Sequence, residues 1–424
     1  MTLSRRDLLH LGGAATAGAL SPWASRAEAA ASPAAVPAAL AALRPMVAGV
    51  APIGTDERRA RLARAQGLMR EAGLDAIVLA SGTSLEYFTG AEWGLSERMF
   101  AAVITGEGEP AWVTPAFEKA RTLEQIGIGD DVRAWQEHES PSELVASILR
   151  DRRATGRVGI EETMPFAFAE AIGAAMPSAR IASATPVTAG CRMIKDAHEI
   201  ALMRRAGEIT VRAFRAVFQS LREGMTQAEV SALAADAHRR QGMEGGALVL
   251  FGADAAYPHG TTHPQPLRRG QVVLIDGGGR LFGYASDITR TAVFGAAPTD
   301  RQRTVWDVVR RAQQAAFEAA RPGVEAQAVD AAARRVVDEA GFGPEYHLFT
   351  HRVGHGIGMD GHEWTYLVRG NRTLLRPGMC FSDEPGVYIP GEMGIRHEDI
   401  ITITPDGADV LEKWTGTPEE PAVV

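Results

Sequence analysis

The chain has 424 residues, of which 46% are hydrophobic and 23% charged, and its formal net charge at pH 7 is −8. This composition is typical of folded globular domains, and the length allows two or three of them. The acidic balance argues against nucleic acid as a partner, because phosphate contacts need a basic surface. The two cysteines, Cys191 and Cys380, are too few for a disulfide framework or a cysteine-rich zinc site; two buried thiols and a single bridge both stay open.

Residues 1–29 have the pattern of an export signal. The twin arginines Arg5 and Arg6 precede a weakly apolar stretch rich in Gly and Ala, and Ala27-Glu28-Ala29 provides a small-x-small cleavage site. The pattern resembles a twin-arginine signal and is too short and too weakly apolar for a stable membrane span. The alternative is that two arginines occur there by chance. We expect an exported, periplasmic protein whose mature form does not enter the membrane.

The next segments predict a linker and then an α/β domain. Residues 30–54 are rich in Ala and Pro, which is typical of a linker. Residues 56–73 have the spacing of an amphipathic helix, and short β-like runs such as 76–79 and 100–104 then alternate with helical stretches. This alternation predicts an α/β domain over residues 55–190.

Residues 191–424 predict a domain of a different class. Strands punctuated by Gly and Asp lie between and after its helices, a pattern that indicates an α+β domain with helices packed against a mainly antiparallel sheet. Helix starts are marked by the spacing of capping boxes at Asp196/Glu199, Thr226/Glu229 and Thr299/Gln302.

Two hairpins in this domain are predicted to carry pairs of acids. The strand Val272–Ile275 is apolar on both faces and ends in Asp276, and the chain returns with Asp287 after a glycine-rich turn. The midpoint of the two aspartates lies between Leu281 and Phe282. In a hairpin centred there the two aspartates face each other, unless a bulge shifts the register.

Glu384 and Glu398 repeat this arrangement, because both are equidistant from Gly391. Unpaired buried carboxylates are costly, so they take up protons or bind cations. Two divalent ions would neutralise the four carboxylates of the two hairpins. Asp383 and Asp399 neighbour the glutamates and are predicted to point to the opposite strand face, where Asp399 could support a ligand.

Histidine supplies a further ligand type. Seven of the eleven histidines lie between residues 259 and 397. His355 stands between two glycines, which lets the backbone approach closely. A set of four carboxylates and one imidazole suits two manganese ions, with cobalt, iron or zinc as alternatives. Two such ions can activate a shared water and polarise a carbonyl group.

These segments closely resemble the pita-bread metallopeptidases, which include prolidase, aminopeptidase P, methionine aminopeptidase and creatinase. The resemblance implies an α+β fold, with a C-terminal pita-bread catalytic domain over residues 191–424 and a smaller α/β creatinase-like N-terminal domain over residues 55–190. The matching segments are Pro258-His259-Gly260, Asp276, Asp287–Thr291, His351–Gly358, His362-Glu363, Glu384–Tyr388 and Gly394–Asp399.

The resemblance also implies roles for individual residues. A hydroxide that bridges two metal ions would attack the peptide bond before proline, with Glu384 carrying the proton. Asp287 and Glu398 would bridge both ions. His397 departs from the aliphatic residue that is usual in the family, and we expect its side chain on the opposite strand face. Arg396 would hold a carboxylate and the substrate in place. The implied metal ligands are Asp276, Asp287, His355, Glu384 and Glu398, and the implied substrate-side histidines are His259, His351 and His362.

We therefore expect a dipeptidase like prolidase that acts on short proline-containing peptides, with an Xaa-Pro aminopeptidase for longer peptides as the main alternative. The N-terminal domain and the export signal argue against a methionine aminopeptidase. A creatinase-like hydrolase would lack the full ligand set, and a non-catalytic binding protein should have lost a ligand; neither loss is seen. We also expect a homodimer, in which the N-terminal domain of the partner could cap the site.

Overall fold

The computed structural model describes residues 36–263 and 265–422. The predicted export signal, residues 1–29, lies outside the described residues. Among the residues that are described, no helix combines the length and the apolar character that a membrane crossing needs.

The described helices alternate with strands in the first half of the chain and flank the strands in the second. The helices are α1 (Ala38–Ala41), α2 (Thr55–Ala72), α3 (Thr83–Thr89), α4 (Lys119–Gln125), α5 (Pro141–Asp151), α6 (Phe166–Ala175), α7 (Thr185–Arg192), α8 (Ala197–Ser220), α9 (Gln227–Arg240), α10 (Asp300–Ala319) and α11 (Ala326–Glu339).

The strands form four sheets. They are β1 (Ala76–Ala80), β2 (Ala101–Thr105), β3 (Ala111–Pro115), β4 (Val132–Trp135), β5 (Arg157–Ile160), β6 (Arg180–Ser183), β7 (Glu244–Phe251), β8 (Val272–Leu281), β9 (Tyr284–Ala285), β10 (Ile288–Val293), β11 (Gly354–Gly356), β12 (Glu363–Leu367), β13 (Cys380–Asp383), β14 (Gly386–Ile389), β15 (Met393–Arg396), β16 (Asp399–Ile403) and β17 (Ala408–Val410).

The N-terminal half is a mixed six-stranded sheet with helices on both faces, in the order β4-β3-β2-β1-β5-β6. Alternate residues of β1 pack into the hydrophobic cores on the two sides of the sheet, because side chains on a strand point to opposite faces. Ile77 and Leu79 pack with α2, whereas Val78 packs with α5. The predicted α/β class of this half is confirmed.

The C-terminal half packs α8 to α11 against antiparallel sheets, and all of its described strand pairs are antiparallel. One sheet has the order β10-β8-β7, with β9 on β8; another has the order β12-β11-β13-β16-β17; β14 and β15 form a ribbon. The predicted α+β class is confirmed. The three predicted capping boxes are also present, at the starts of α8, α9 and α10.

The first hairpin has a different register from the predicted one. Asp276 pairs with Thr289 and not with Asp287. The turn is centred between Phe282 and Gly283, one residue later than predicted, and both have positive φ values of 47° and 88°. Such a two-residue turn with left-handed backbone matches the twist of its strands. Asp287 lies two residues from Thr289, so the two aspartates still share a face of the sheet.

The second hairpin has the predicted register. Asp383 pairs with Asp399 on one side of the glutamates, and Gly386 pairs with Arg396 on the other. Glu384 and Glu398 are therefore symmetric about the turn at Gly391. An isolated bridge between Thr289 and Glu398 then joins this hairpin to the first one.

Residues 38–54 of the predicted linker pack against the fold. Leu40 is fully buried beside α8, and the amide of Met46 donates to the carbonyl of Gln241 at 2.9 Å. Apolar residues spaced through the Ala- and Pro-rich composition explain this difference, because they have core to bury against. Both cysteines are buried and free.

Candidate metal centre

The four hairpin acids and His355 lie together where the two hairpins meet. Three groups of side chains each have ligand atoms within 4.8 Å of one another: Asp276, Asp287 and Glu398; His355, Glu384 and Glu398; and Asp287, His355 and His362. Carboxylate oxygens together with the imidazole of His355 suit hard or borderline divalent cations. The residues present therefore fit the metal ions that the sequence predicts.

The charges of these acids are not balanced by protein groups alone. Burial and then the negative charges of Asp276 and Glu384 raise the pKa of Asp287 well above its ordinary value. Burial and neighbouring carboxylates likewise raise the pKa of Glu398 well above its ordinary value, and burial raises that of Glu384 to about 7. Carboxylates that repel one another in this way are stabilised by bound cations.

Asp276 differs from the other acids because it has a cationic partner. Burial alone would raise its pKa, but Arg396 and hydrogen bonds lower it. Arg396 donates to Asp276 Oδ2 at 2.6 Å and to the hydroxyl of Tyr388 at 2.8 Å. Its Nε donates to the hydroxyl of Thr289 at 3.1 Å. The guanidinium thereby fixes a carboxylate and two hydroxyls on one edge of the site.

Thr289 connects the two hairpins. Its hydroxyl oxygen lies 2.6 Å from Asp276 Oδ1 and 2.6 Å from Glu398 Oε2. The backbones of Thr289 and Glu398 also exchange hydrogen bonds, at 3.3 and 3.2 Å. One side chain therefore sets the spacing between acids that come from different sheets.

His355 presents one ring nitrogen to the acids. Its Nδ1 donates to the carbonyl of Gly356 at 3.1 Å, which leaves Nε2 facing Glu384 Oε1 at 3.3 Å and Asp287 Oδ2 at 3.9 Å. Burial lowers the pKa of His355 to about 3, so the ring is neutral at pH 7. A neutral imidazole oriented by its other nitrogen is the form that binds metals.

The remaining predicted residues surround a cavity of about 470 Å³ beside these ligands. His362 stacks against His355 with ring centroids 3.9 Å apart. His351 donates from Nδ1 to the carbonyl of Arg352 at 2.8 Å, and its Nε2 accepts from the hydroxyl of Tyr388 at 2.7 Å. The lining residues are Tyr257, Pro258, His259, Gly260, Asp276, His351, Arg352, His355, His362, Glu384, Arg396 and Glu398.

The opposite strand face behind the acids is a separate buried layer. Asp399 accepts from Arg290 at 2.5 Å and from Gln313 at 2.9 Å. Arg290 also donates to the backbone carbonyl of Glu398 at 2.7 Å. His397 lies in this layer, with its ring 4.4 Å from that of Trp306. Neither Asp399 nor His397 lines the cavity.

Thr289, Tyr388 and Arg352 are site residues to which the sequence analysis assigns no role. Thr289 could be found from spacing, because it is two residues from Asp287 on a strand and must share its face. Tyr388 could be found in the same way, because it is four residues from Glu384. Arg352 has no such periodic relation to a ligand, because it precedes the short strand β11.

Comparisons with known proteins agree with this geometry. Residues 201–405 match the model of metallopeptidase family M24, and residues 61–194 match the creatinase/prolidase N-terminal domain. The probable dipeptidase PepE of Mycobacterium tuberculosis is 40% identical over 357 residues, which are 82% of this chain and 92% of the relative. The Xaa-Pro dipeptidase of Lactobacillus delbrueckii subsp. lactis is 35% identical over 368 residues, 85% of this chain and 97% of the relative.

A solved structure shows the same architecture. The dipeptidase PepE from Mycobacterium ulcerans superimposes with a TM-score of 0.80 at 34% identity, covering 87% of this chain and 99% of the other. At this coverage the likeness spans both halves of the molecule. On this evidence, the chain belongs to metallopeptidase family M24.

Proposed function

We propose that the protein is an Xaa-Pro dipeptidase that uses two divalent metal ions to hydrolyse the peptide bond before proline. The observation that carries the proposal is the convergence of four acids and one imidazole on a single cavity. Relatives named Xaa-Pro dipeptidase, which match over most of the chain, support the choice of substrate.

The metal ligands in this proposal are Asp276, Asp287, His355, Glu384 and Glu398. Asp287 and Glu398 are the carboxylates that belong to two of the three groups, so each would serve both ions. Bound there, two divalent ions supply an activated water and polarise the scissile carbonyl. Manganese suits this oxygen-rich set, with cobalt, iron or zinc as alternatives.

The protein groups would position the peptide and move its proton. Glu384 borders the cavity and both His355 and His351, so it can carry a proton to the departing proline nitrogen. His259, His351 and His362 line the cavity, where they can orient the carbonyl and stabilise the oxyanion. Arg396 holds Asp276 in place. A dedicated pocket is needed because the proline nitrogen has no N–H for a general peptidase to read.

Cleavage of Ala-Pro and of Ala-Pro-Ala by the metal-loaded protein tests the proposal. We expect kcat/KM to be higher for Ala-Pro, because a dipeptidase closes the site beyond proline. A higher kcat/KM for Ala-Pro-Ala would assign the protein to the alternative, an Xaa-Pro aminopeptidase. If the metal-loaded protein cleaves neither peptide, the proposal is overturned.

The cellular setting is part of the same proposal. We infer a periplasmic enzyme from the twin-arginine pattern of residues 1–29 and a homodimer as its assembly. Fractionation of cells that express the full chain, and light scattering of the purified protein, test the two inferences separately.

A further inference from the structure

Two arginines line the cavity of the metal centre, and they differ in what they bind. Arg396 is saturated by the protein. It contacts Asp276 at 2.6 Å, Tyr388 at 2.8 Å and Thr289 at 3.1 Å, and its side chain is almost fully buried. A substrate carboxylate that approached Arg396 would have to displace these partners.

Arg352 is the other lining arginine, and it is only partly buried. Its guanidinium lies 4.1 Å from the centroid of the Tyr366 ring. Among the residues that the structure describes, no Asp or Glu oxygen lies within 4.0 Å of the nitrogens of Arg352, and its side chain has no protein hydrogen-bond partner. Stacking on an aromatic face orients a guanidinium while its N–H edges stay available.

The positive charge of Arg352 affects the pKa values of two histidines that line the cavity. After burial, it is a cause of the lowered pKa of His362, and it also contributes to the lowered pKa of His355. The guanidinium is therefore close to the groups that would surround the scissile bond. The N–H donors of Arg352 face the cavity without a protein partner, so they are available to an anion that enters it.

A dipeptide brings such an anion. The free carboxylate of Ala-Pro is attached to the proline ring, next to the bond that is cleaved. A planar guanidinium binds a carboxylate through two parallel hydrogen bonds. An internal proline of a longer peptide has an amide at this position and offers no such partner.

We propose that Arg352 binds the free C-terminal carboxylate of the dipeptide and so determines the preference for dipeptides over longer peptides. The inference rests on the proposed Xaa-Pro dipeptidase function and names the residue that reads the end of the substrate. Tyr366 supports Arg352 by stacking.

The experiment compares Ala-Pro with its amide, Ala-Pro-NH₂, in the metal-loaded wild-type protein and in the variant Arg352→Met. We expect the variant to lose about 10–100-fold in kcat/KM for Ala-Pro, mainly through KM, because a charge-assisted hydrogen bond is removed. Its kcat/KM for the amide should stay within about 3-fold of the wild-type value. Arg352→Lys keeps the charge without the paired donors, so it should fall between the two.

Arg369→Met is the matched control. Arg369 is exposed, pairs with Glu345 at 3.1 Å and does not line the cavity, so neither substrate should be affected. Calorimetric binding of L-proline and L-prolinamide gives a readout without turnover: only L-proline should bind more weakly to Arg352→Met. Thermal unfolding and metal content establish that each variant is folded and loaded.

Two results would overturn the inference: an equal loss for Ala-Pro and its amide, or no loss for either. If the wild-type protein cleaves Ala-Pro-Ala but not Ala-Pro, the proposed function itself is overturned. This result comes from the wild-type protein alone, before any variant is made.

Discussion

Thr289 shows how one side chain can hold two acids at a distance that suits metal ions. Its oxygen lies at hydrogen-bond distance from both Asp276 and Glu398, yet a hydroxyl has one proton and can donate to one of them at a time. Arg396 donates to the same oxygen and so occupies an acceptor position. The acid that does not receive the proton must be satisfied by another donor or by a cation.

The variant Thr289→Val is expected to weaken metal binding about 10–100-fold, because side chains that orient ligands typically have effects of this size. Titration with Mn²⁺, followed by elemental analysis, measures the change. Thr291→Val is the control, since that hydroxyl is also buried but donates to the backbone carbonyl of Arg396 at 2.7 Å. Asp287→Ala, which removes a ligand from two of the three groups, should abolish metal binding. Wild-type affinity in Thr289→Val would contradict this role.

At the scale of elements, the turn between β8 and β9 explains why one hairpin was predicted correctly and the other was not. In the second hairpin, glycine stands at the turn with a φ of 79°, so symmetry about Gly391 gave the right pairs. In the first hairpin the left-handed positions are Phe282 and Gly283. A bulky residue such as Phe282 rarely adopts this conformation, so the residue types indicated a turn but not its centre at these two positions.

This turn yields a prediction of stability. Phe282→Asn should raise the free energy of unfolding by about 1 kcal/mol, because Asn tolerates a φ of 47° better and Phe282 is 44% exposed, with little buried area to lose. Gly283→Ala should lower it by about 1–3 kcal/mol, since Gly283 has a φ of 88°. Urea denaturation measures both, and stabilisation by Gly283→Ala would contradict the assignment of the turn.

Periodicity and capping account for what the sequence could predict at this scale. Helix starts, both fold classes and the placing of two acids on one side of each hairpin follow from local patterns. The packing of residues 38–53 and the contacts of Arg352 depend on residues far away in the chain, so no local pattern contains them. The residue pairs of the N-terminal sheet also join parts of the chain that are far apart, so local patterns do not contain them either.

At the scale of the whole molecule, buried ion pairs connect the C-terminal half to α7, the helix at the junction between the two halves. Glu363 accepts from Arg192 at 2.6 Å and from Lys195 at 3.0 Å, and all three are almost fully buried. Asp360 accepts from Thr83 at 2.6 Å and from Arg192 at 2.5 Å. The segment between β11 and β12, which ends in His362, is thereby tied to α3 and α7.

The pH dependence of stability should report this junction. Burial alone would raise the pKa of Glu363, but Lys195 and Arg192 lower it from 4.5 to about 2. A carboxyl whose pKa is lower in the folded state stabilises the protein above pH 4.5, and the contribution is lost as the pH falls towards 2. Glu363→Gln should therefore lower the free energy of unfolding by about 3–5 kcal/mol at pH 7, because two buried cations lose their partner. The decrease should be smaller at pH 3.

Urea denaturation at both pH values measures this difference. Glu345→Gln is the control, because the pair of Glu345 with Arg369 is exposed and should contribute less than about 1 kcal/mol. An equal cost of Glu363→Gln at pH 7 and pH 3 would show that the carboxyl is held by packing alone and not by its charge.

The tie between α3, α7 and the segment before β12 has a further consequence. The amides of Met359 and Asp360 donate to the carboxylate of Glu363, which is itself paired with Arg192 of α7. The position of the backbone that leads to His362 therefore depends on α7. A substitution at Thr83 or Arg192 can therefore alter turnover while every ligand stays in place. Natural variation in α3 and α7, which do not line the cavity, would therefore adjust the catalytic rate without changing the residues of the metal centre.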